Sequence, residues 1–331
     1  VPFIVVDAWW MEKPATTDLS VIIVNWNVRT LLERCLRSVI ESAQRGGLQC
    51  EIVVVDNAST DGSTEMVQRL FPSVELIRSE ANLGFARANN LGVSRSSGRH
   101  LLLLNPDTEV VDDALPVMVA YLDKHRDVGL LGPKLLFADG SVQPSRRRFP
   151  TLSTAFLEST VVQQWFPQNR TLARYYVQDR SDDAEQDVDW VVGACMLIRR
   201  QAWDQVGPLD ERFFMYSEEM DWCRRLKSAG WRVVYLPSAV VMHHEGQSSA
   251  QVVPARHIYF QSSKVLYFRK HHGVWAGGVL RVFLLVTYFY QLCLEGLKWL
   301  LGHKRGLRRE RIAAYLRVLR SGLSAQGEVR A

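Results

Sequence analysis

His100-Leu-Leu-Leu-Leu-Asn-Pro-Asp-Thr-Glu109 is the stretch on which the fold of this 331-residue chain turns. Four consecutive leucines are too short a run for a buried helix and read as a strand covered on both faces. Pro106 has no N–H to give to a sheet ladder, so the strand ends before it. Asp107 is then delivered at the carboxyl end of a central strand, the edge along which open α/β sheets bind ligands. Two readings fit it. Asn-Pro-Asp favours a turn that the Asp caps by itself. A carboxylate behind a rigid turn can also hold a divalent cation against a diphosphate.

Outward from this strand, strand and helix patterns alternate with short connections. Residues 19–26 and 51–56 are β-branched runs, and 74–78 and 128–131 are shorter ones. Between them, residues 28–43 space apolar side chains for one helical face, Ser63 can cap a helix to Leu70, Asn82-Leu83-Gly84 turns into a helix over 85–94, and 112–125 is a further helix. The alternation predicts a doubly wound, mostly parallel α/β sheet. Later, 188–199 resumes an apolar pattern, Ser217 can cap a helix to Ala229, and 231–236 and 239–242 read as two short strands. Arg146-Arg147-Arg148 and the acidic segment 178–187 flank a less regular middle, expected to form a loop over a substrate.

Composition narrows the function. The chain is 47% apolar and 23% charged, with net charge +5 and its basic residues gathered toward the C-terminus. Five scattered cysteines without a Cys-x-x-Cys pair argue against structural zinc and a disulfide framework and fit a reducing compartment. No Gly-x-Gly-x-x-Gly follows the first strand and no phosphate-loop motif is present, so a dinucleotide oxidoreductase and a phosphate-loop NTPase lack their basic parts. Asn25-Trp26-Asn27 also lacks the glycines of a sugar-nucleotidyltransferase loop. The basic tail carries no recognition element for nucleic acid, so none is expected as a partner.

Each early strand ends in polar residues: Asn25-Trp26-Asn27, Asp56-Asn57 and Asn105-Pro106-Asp107. In parallel neighbours these converge on one crevice. Asp56 can accept from a pyrimidine imide N–H or close an Asx turn. Trp26 can stack on a base or fill the core. Arg87 can meet a phosphate or stay solvated. Ser217-Glu-Glu-Met-Asp221 opens a helix with three carboxylates, which the helix dipole favours. Glu219 shares a face with Trp222, Cys223 and Leu226, while Glu218 lies with Asp221 and Arg225. A carboxylate on an apolar stripe is partly desolvated, which raises its pKa and suits a general base. His243 or His244, after a strand, could complete a metal site with Asp107.

In this order, Val21-Ile-Ile-Val-Asn-Trp-Asn27, Val55-Asp-Asn-Ala-Ser-Thr-Asp-Gly62, Asn82-Leu-Gly-Phe-Ala-Arg-Ala-Asn-Asn90, Leu104-Asn-Pro-Asp-Thr108, Gly193-Ala-Cys-Met196, Asp210-Glu-Arg-Phe-Phe-Met-Tyr216 and His243-His-Glu-Gly-Gln-Ser248 resemble the family 2 glycosyltransferases of GT-A fold. Within them the rhamnosyltransferase-type enzymes of bacterial cell-surface polysaccharide synthesis are most similar. The resemblance spans residues 19–250, roughly 70% of the chain. It implies inverting transfer from a nucleotide-diphosphate sugar, with dTDP-rhamnose the preferred donor, to a glycan or polyprenyl-linked acceptor. Carried over residue by residue, it sets Val24, Asn25, Trp26, Asp56, Asn57, Asn82, Gly84, Arg87, Asn105 and Asp107 around the donor and Gly193 and Ala194 beside the acceptor. Asp107 and His243 would hold Mg²⁺ or Mn²⁺, and Glu219 would be the base, with Glu218 beside it. The chain departs from the pattern at Glu218-Glu219, where the family has Glu-Asp, so its base is one methylene longer. A non-catalytic nucleotide-sugar-binding scaffold is the alternative this departure leaves open.

Residues 1–18 are expected as a loosely attached leader, 19–250 as the GT-A domain and 251–331 as a helical, membrane-interfacial region. The apolar segment 274–301 contains Arg281, Glu295 and Lys298, and a basic cluster follows at 303–311. The arrangements that fit it are a helix lying on an anionic leaflet, a helical hairpin packed on the domain or on a second subunit and, less well, a tilted spanning helix that tolerates Arg281. The expected location is the cytoplasmic face of a bacterial inner membrane, or the cytoplasm.

Overall fold

The computed structural model describes residues 17–158, 160–166, 169–244 and 253–324. Most of the expected leader, the end of the 243–248 motif and the expected boundary at 250 lie outside these residues. The first half runs β1 (Leu19–Asn25), α1 (Arg29–Arg45), β2 (Cys50–Asp56), α2 (Ser63–Leu70), β3 (Glu75–Arg78), α3 (Gly84–Ser94), β4 (His100–Leu104), β5 (Thr108–Val110), α4 (Ala114–Lys124) and β6 (Val128–Leu136). A less regular middle follows with β7 (Val142–Gln143), β8 (Arg146–Arg147), α5 (Leu152–Leu157), α6 (Val161–Trp165), α7 (Arg170–Tyr175), β9 (Gln186–Asp187) and β10 (Trp190–Val191). The chain then makes β11 (Cys195–Arg199), α8 (Arg200–Val206), α9 (Glu218–Ser228), β12 (Arg232–His243), α10 (Val253–His272), α11 (Val274–Leu300) and α12 (Arg305–Ser321).

The main sheet has the order β3-β2-β1-β4-β11-β6-β12-β5. β3, β2, β1 and β4 are parallel, and β12 is parallel to β6. β11 enters antiparallel between β4 and β6. The apolar pattern at 188–199 thus resolves into a two-residue bridge and a central strand. The leucine run divides its side chains by strand alternation. Leu102 and Leu104 join Val21, Ile23, α1 and α4 on one face. Leu101 and Leu103 join Ile22, Ile198, Trp222 and α10 on the other. All four are almost completely buried, each worth about 1.5–3 kcal/mol.

Three local readings change. Residues 231–236 and 239–242 belong to one strand, β12, which carries an irregularity: Leu236 pairs with Pro133, and Val240 with the next residue, Lys134. The cap of α2 belongs to Asp61, whose Oδ1 accepts from both the N–H and the hydroxyl of Ser63. Its Oδ2 accepts from the N–H of Arg29 at 2.7 Å, so one carboxylate ties two helix starts. Ser217 makes no side-chain cap. It lies at φ 67°, after Tyr216 at φ 70°, so two left-handed residues aim the start of α9.

The acidic segment 178–187 does not cover a cleft. Its Asp182 and Asp183 pair with Arg146 and Lys134, and β9 extends the sheet beside β12. The C-terminal helices instead pack on the sheet domain. Tyr267, Phe268, Leu280, Leu284 and Tyr288 join the same core as Trp222. Gly84, the first residue of α3, has φ 78°, and an added Cβ would sit 2.3 Å from the Phe214 carbonyl oxygen. Gly84→Ala should cost about 2–4 kcal/mol from the left-handed backbone and overpacking together, measured by urea unfolding.

Candidate active site

The carboxyl ends of β1, β2 and β4 open into a cleft of about 3640 Å³. That is several times the roughly 300–1,000 Å³ of a single small-ligand site, so there is room for two substrates. Val24, Trp26, Asn57, Asn82, Gly84, Arg87, Asn105 and Asp107 line it, as do Gly193, Ala194, Glu218, Glu219 and His243. The resemblance therefore gathered residues from seven separate segments that do meet in space. Asn25 and Asp56 lie beneath this lining. Asp56 Oδ1 accepts from Asn25 Nδ2 at 2.8 Å and Oδ2 from the Ser59 N–H at 2.9 Å, an Asx turn. Each oxygen keeps a further lone pair for a donor from above.

Asn57 and Asn82 shape the floor. Asn57 Nδ2 donates to the Gly84 carbonyl at 3.2 Å, and Asn82 Oδ1 accepts from the Gly84 N–H at 2.9 Å. Arg87 follows within α3, exposed on the cleft side. The Asn105 N–H donates to the Ala194 carbonyl at 2.9 Å, which fastens the strand-end turn to β11.

Asp107 is buried, and its Oδ1 lies 3.4 Å from His243 Nε2. The other ring nitrogen of His243, Nδ1, donates to Gln143 Oε1 at 2.9 Å. That bond fixes the tautomer and leaves the Nε2 lone pair facing Asp107. Nε2 has no hydrogen-bond partner among the described residues. A buried imidazole nitrogen aimed at a carboxylate, with its far side held, is the donor arrangement of a metal ligand pair. No third His, Cys, Asp or Glu joins it among the described residues. The pair thus fits a cation that takes its remaining ligands from a diphosphate and water. His244 turns away to Glu109, 2.7 Å from its carboxylate.

Glu218 and Glu219 open α9 inside the cleft. Burial and then the Glu219 charge push Glu218 well above the usual carboxylate range. Burial pushes Glu219 up to about 7, against its own backbone hydrogen bonds and the Arg147 guanidinium. Both carboxyls have an Oε2 with no partner among the described residues. Glu219 faces Gly193, whose absent Cβ would lie 3.8 Å from the Glu219 Cβ. A hydroxyl between these two residues meets a carboxylate ready to accept its proton near neutral pH.

Sequence reasoning missed the second wall of the cleft. Gln143, Arg147, Tyr176 and Trp190 from the irregular middle line it, as do Tyr259, Phe260 and Tyr288 from the C-terminal helices. The arginine triplet and the apolar patterns at 188–199 and 274–301 contain Arg147, Trp190 and Tyr288 without marking them as cleft residues.

The family description "Glycosyl transferase family 2" matches residues 20–207. The chain is 33% identical over 273 residues to the N-acetylglucosaminyl-diphospho-decaprenol L-rhamnosyltransferase of Mycobacterium tuberculosis, covering 78% of this chain and 87% of the relative. It is 27% identical over 222 residues to the rhamnosyltransferase WbbL of Escherichia coli, covering 64% of this chain and 79% of that one. Among solved structures, the mannosyltransferase PcManGT from Pyrobaculum calidifontis, in complex with GDP-Man and Mn²⁺, superposes with a TM-score of 0.54 at 16% identity, over 95% of this chain and 89% of that one. The chain belongs to glycosyl transferase family 2. It is a glycosyltransferase of GT-A-like fold, similar over most of its length to rhamnosyltransferases.

Glu219→Gln should lower the transfer rate by about 10²–10⁴-fold with the fold intact. If Glu219 takes the acceptor's proton, the rate should rise with pH through about 7. A kcat–pH profile checks both, and the rising limb should vanish in the glutamine variant.

Proposed function

We propose that the protein transfers L-rhamnose from dTDP-rhamnose to a hydroxyl of a polyprenyl-diphosphate-linked sugar, with inversion at the anomeric carbon, in cell-surface polysaccharide synthesis. The observation that carries the chemistry is Glu219, half-buried beside Gly193 in the same cleft as the Asp107–His243 pair. The names of the relatives support the sugar and the lipid carrier.

In this reading Trp26 stacks on the base, Asp56 accepts from its imide N–H, and Arg87 meets a phosphate. Glu219 takes the proton of the acceptor hydroxyl as its oxygen attacks the anomeric carbon. The bond from that carbon to the diphosphate oxygen breaks, and its electron pair leaves with the nucleotide. Asp107 and His243 would hold a divalent cation, which supplies a Lewis acid for the departing diphosphate. Gln143 keeps the His243 ring in the binding tautomer.

The donor is tested by thermal stability of the purified chain with Mn²⁺ and dTDP-, UDP- and GDP-sugars. dTDP-rhamnose at a hundred times its Kd should stabilise the fold by about 2.7 kcal/mol. Asp107→Ala should remove the metal-dependent share. No shift with any of these ligands in folded protein would overturn the reading.

The chain is proposed to work at the cytoplasmic face of a bacterial inner membrane. α11 is long and apolar enough to cross a membrane by length and composition. Leu280, Leu284 and Tyr288 are buried against the protein, while Trp275, Val282, Val286, Phe289 and Leu300 are exposed. Arg305, Arg309 and Arg311 follow on α12. An exposed apolar face beside arginines favours an anionic leaflet. Flotation with vesicles containing anionic lipid should carry the protein. Raised salt or neutral vesicles should weaken that binding by about 1 kcal/mol per arginine engaged.

A further inference from the structure

The three arginines of the 146–148 run have different fates. Arg146 is buried, donates to the carbonyls of Ser181 and Arg180 at 2.8 Å each, and pairs with Asp182. Arg148 forms a two-pronged pair with Asp179, at 2.9 and 2.8 Å. Both staple the irregular middle together. Arg147 lies between them on β8, opposite Trp190 of β10, and faces the cleft. Its Nη1 donates to the Arg146 carbonyl at 2.9 Å, and no carboxylate lies within ion-pair distance among the described residues.

The guanidinium is nevertheless held. It lies 4.5 Å from the centre of the Tyr176 ring and 6.0 Å from that of Trp190. Aromatic rings on its flat side fix its plane and remove water from it, while other donors at its edge stay open. Glu158, the acid that could have neutralised it, is taken by Lys264 at 2.9 Å and by the Tyr176 hydroxyl at 3.5 Å. A pinned guanidinium with one donor used by the Arg146 carbonyl and no acid on its others among the described residues can still offer two donors to a phosphate.

The position of Arg147 names which phosphate. The donor diphosphate belongs with Asp107 and His243. Arg147 stands on the Glu219 side, where the acceptor hydroxyl must lie. From there the cleft continues along Tyr259, Phe260 and Leu266 of α10 and Leu284 and Tyr288 of α11, an apolar and aromatic wall fit for an isoprenoid chain.

We propose that Arg147, clasped by Tyr176 and Trp190, binds the diphosphate that joins the acceptor sugar to its lipid. The proposal rests on the lipid-diphosphate acceptor argued above. It makes Arg147 the residue that distinguishes a diphosphate-linked acceptor from a free glycan.

Binding of farnesyl diphosphate and of farnesol is measured by calorimetry with dTDP and Mn²⁺ saturating, so that the donor site is filled. The parent protein should bind farnesyl diphosphate more tightly than farnesol. Arg147→Gln should weaken farnesyl diphosphate by about tenfold or more, as expected for losing charged hydrogen bonds, and leave farnesol and dTDP unchanged. Arg147→Lys keeps the charge without the fork, should fall between the two, and carries the test if the glutamine variant does not fold. Unchanged farnesyl diphosphate binding in the variants would overturn the proposal. So would a loss of dTDP affinity instead, or a parent protein that binds farnesol equally well. Failure of the parent to bind dTDP in a separate titration would count against the donor reading alone.

Discussion

Asp221 is fully buried, and a carboxylate without water must find its cations inside the protein. Among the described residues it finds two, Arg225 Nε at 3.0 Å on its own helix and Lys270 Nζ at 2.6 Å on α10, and His271 Nε2 of α10 lies 2.7 Å away. Burial works against its charge, but the hydrogen bonds from His271 and Lys270 outweigh this and hold its pKa below the usual range. Lys270 also reaches Asp210 at 2.7 Å, in the loop that leads to α9. The base helix and the C-terminal helices are thereby one unit. Removing Lys270 takes one of these cations from a buried charge and destabilises the fold. The cleft keeps its second wall because of this pairing.

The same helix start carries three acids with two outcomes. Asp221 gathers the nearby cations, and Glu218 and Glu219 have no ion pair of their own among the described residues. A helix N-terminus favours negative charge by a few tenths to about 1 kcal/mol, less than the cost of burying it. Glu218 and Glu219 therefore hold their protons longer than a surface carboxylate does. Glu219 sits opposite Gly193, a residue with no side chain, which leaves its carboxyl space to extend into the cleft.

The sheet and its ligand edge were legible because they rest on local rules. A leucine run stopped by Pro106, β-branched runs ending in Asn or Asp, and glycines at turns each carry their meaning within a few residues. Asp107, His243 and Glu219 could be named on this basis and by resemblance, and they do share one cleft. What was hidden depends on contacts between distant segments. The reversed direction of β11 cannot be read from Cys-Met-Leu-Ile-Arg. Gln143 became legible only through its bond to His243, a hundred residues away. Arg147 stood inside a run of three identical residues, and nothing local says which of them lacks an acid. The acidic segment 178–187 looked like a cover because its partners, Arg146 and Lys134, lie far back in the chain. Residues 274–301 were read as lying on a membrane or packing on the protein. α11 buries one face against the core, as the packed reading expects, and leaves the other exposed.

The irregularity in β12 has a geometric consequence. Between Leu236 and Val240 the strand advances four residues while its neighbour β6 advances one. The surplus is three, an odd number, and side chains along a strand alternate sides. Parity therefore reverses across this point, and what would have projected to one side of the sheet projects to the other. His243 meets Asp107 by virtue of that reversal. One residue more or fewer between Leu236 and Val240 would restore the original phase and offer Met242 or His244 to Asp107 in its place. The Asp107–His243 contact is thus set by a count of residues that begins seven positions before the histidine as much as by the histidine itself.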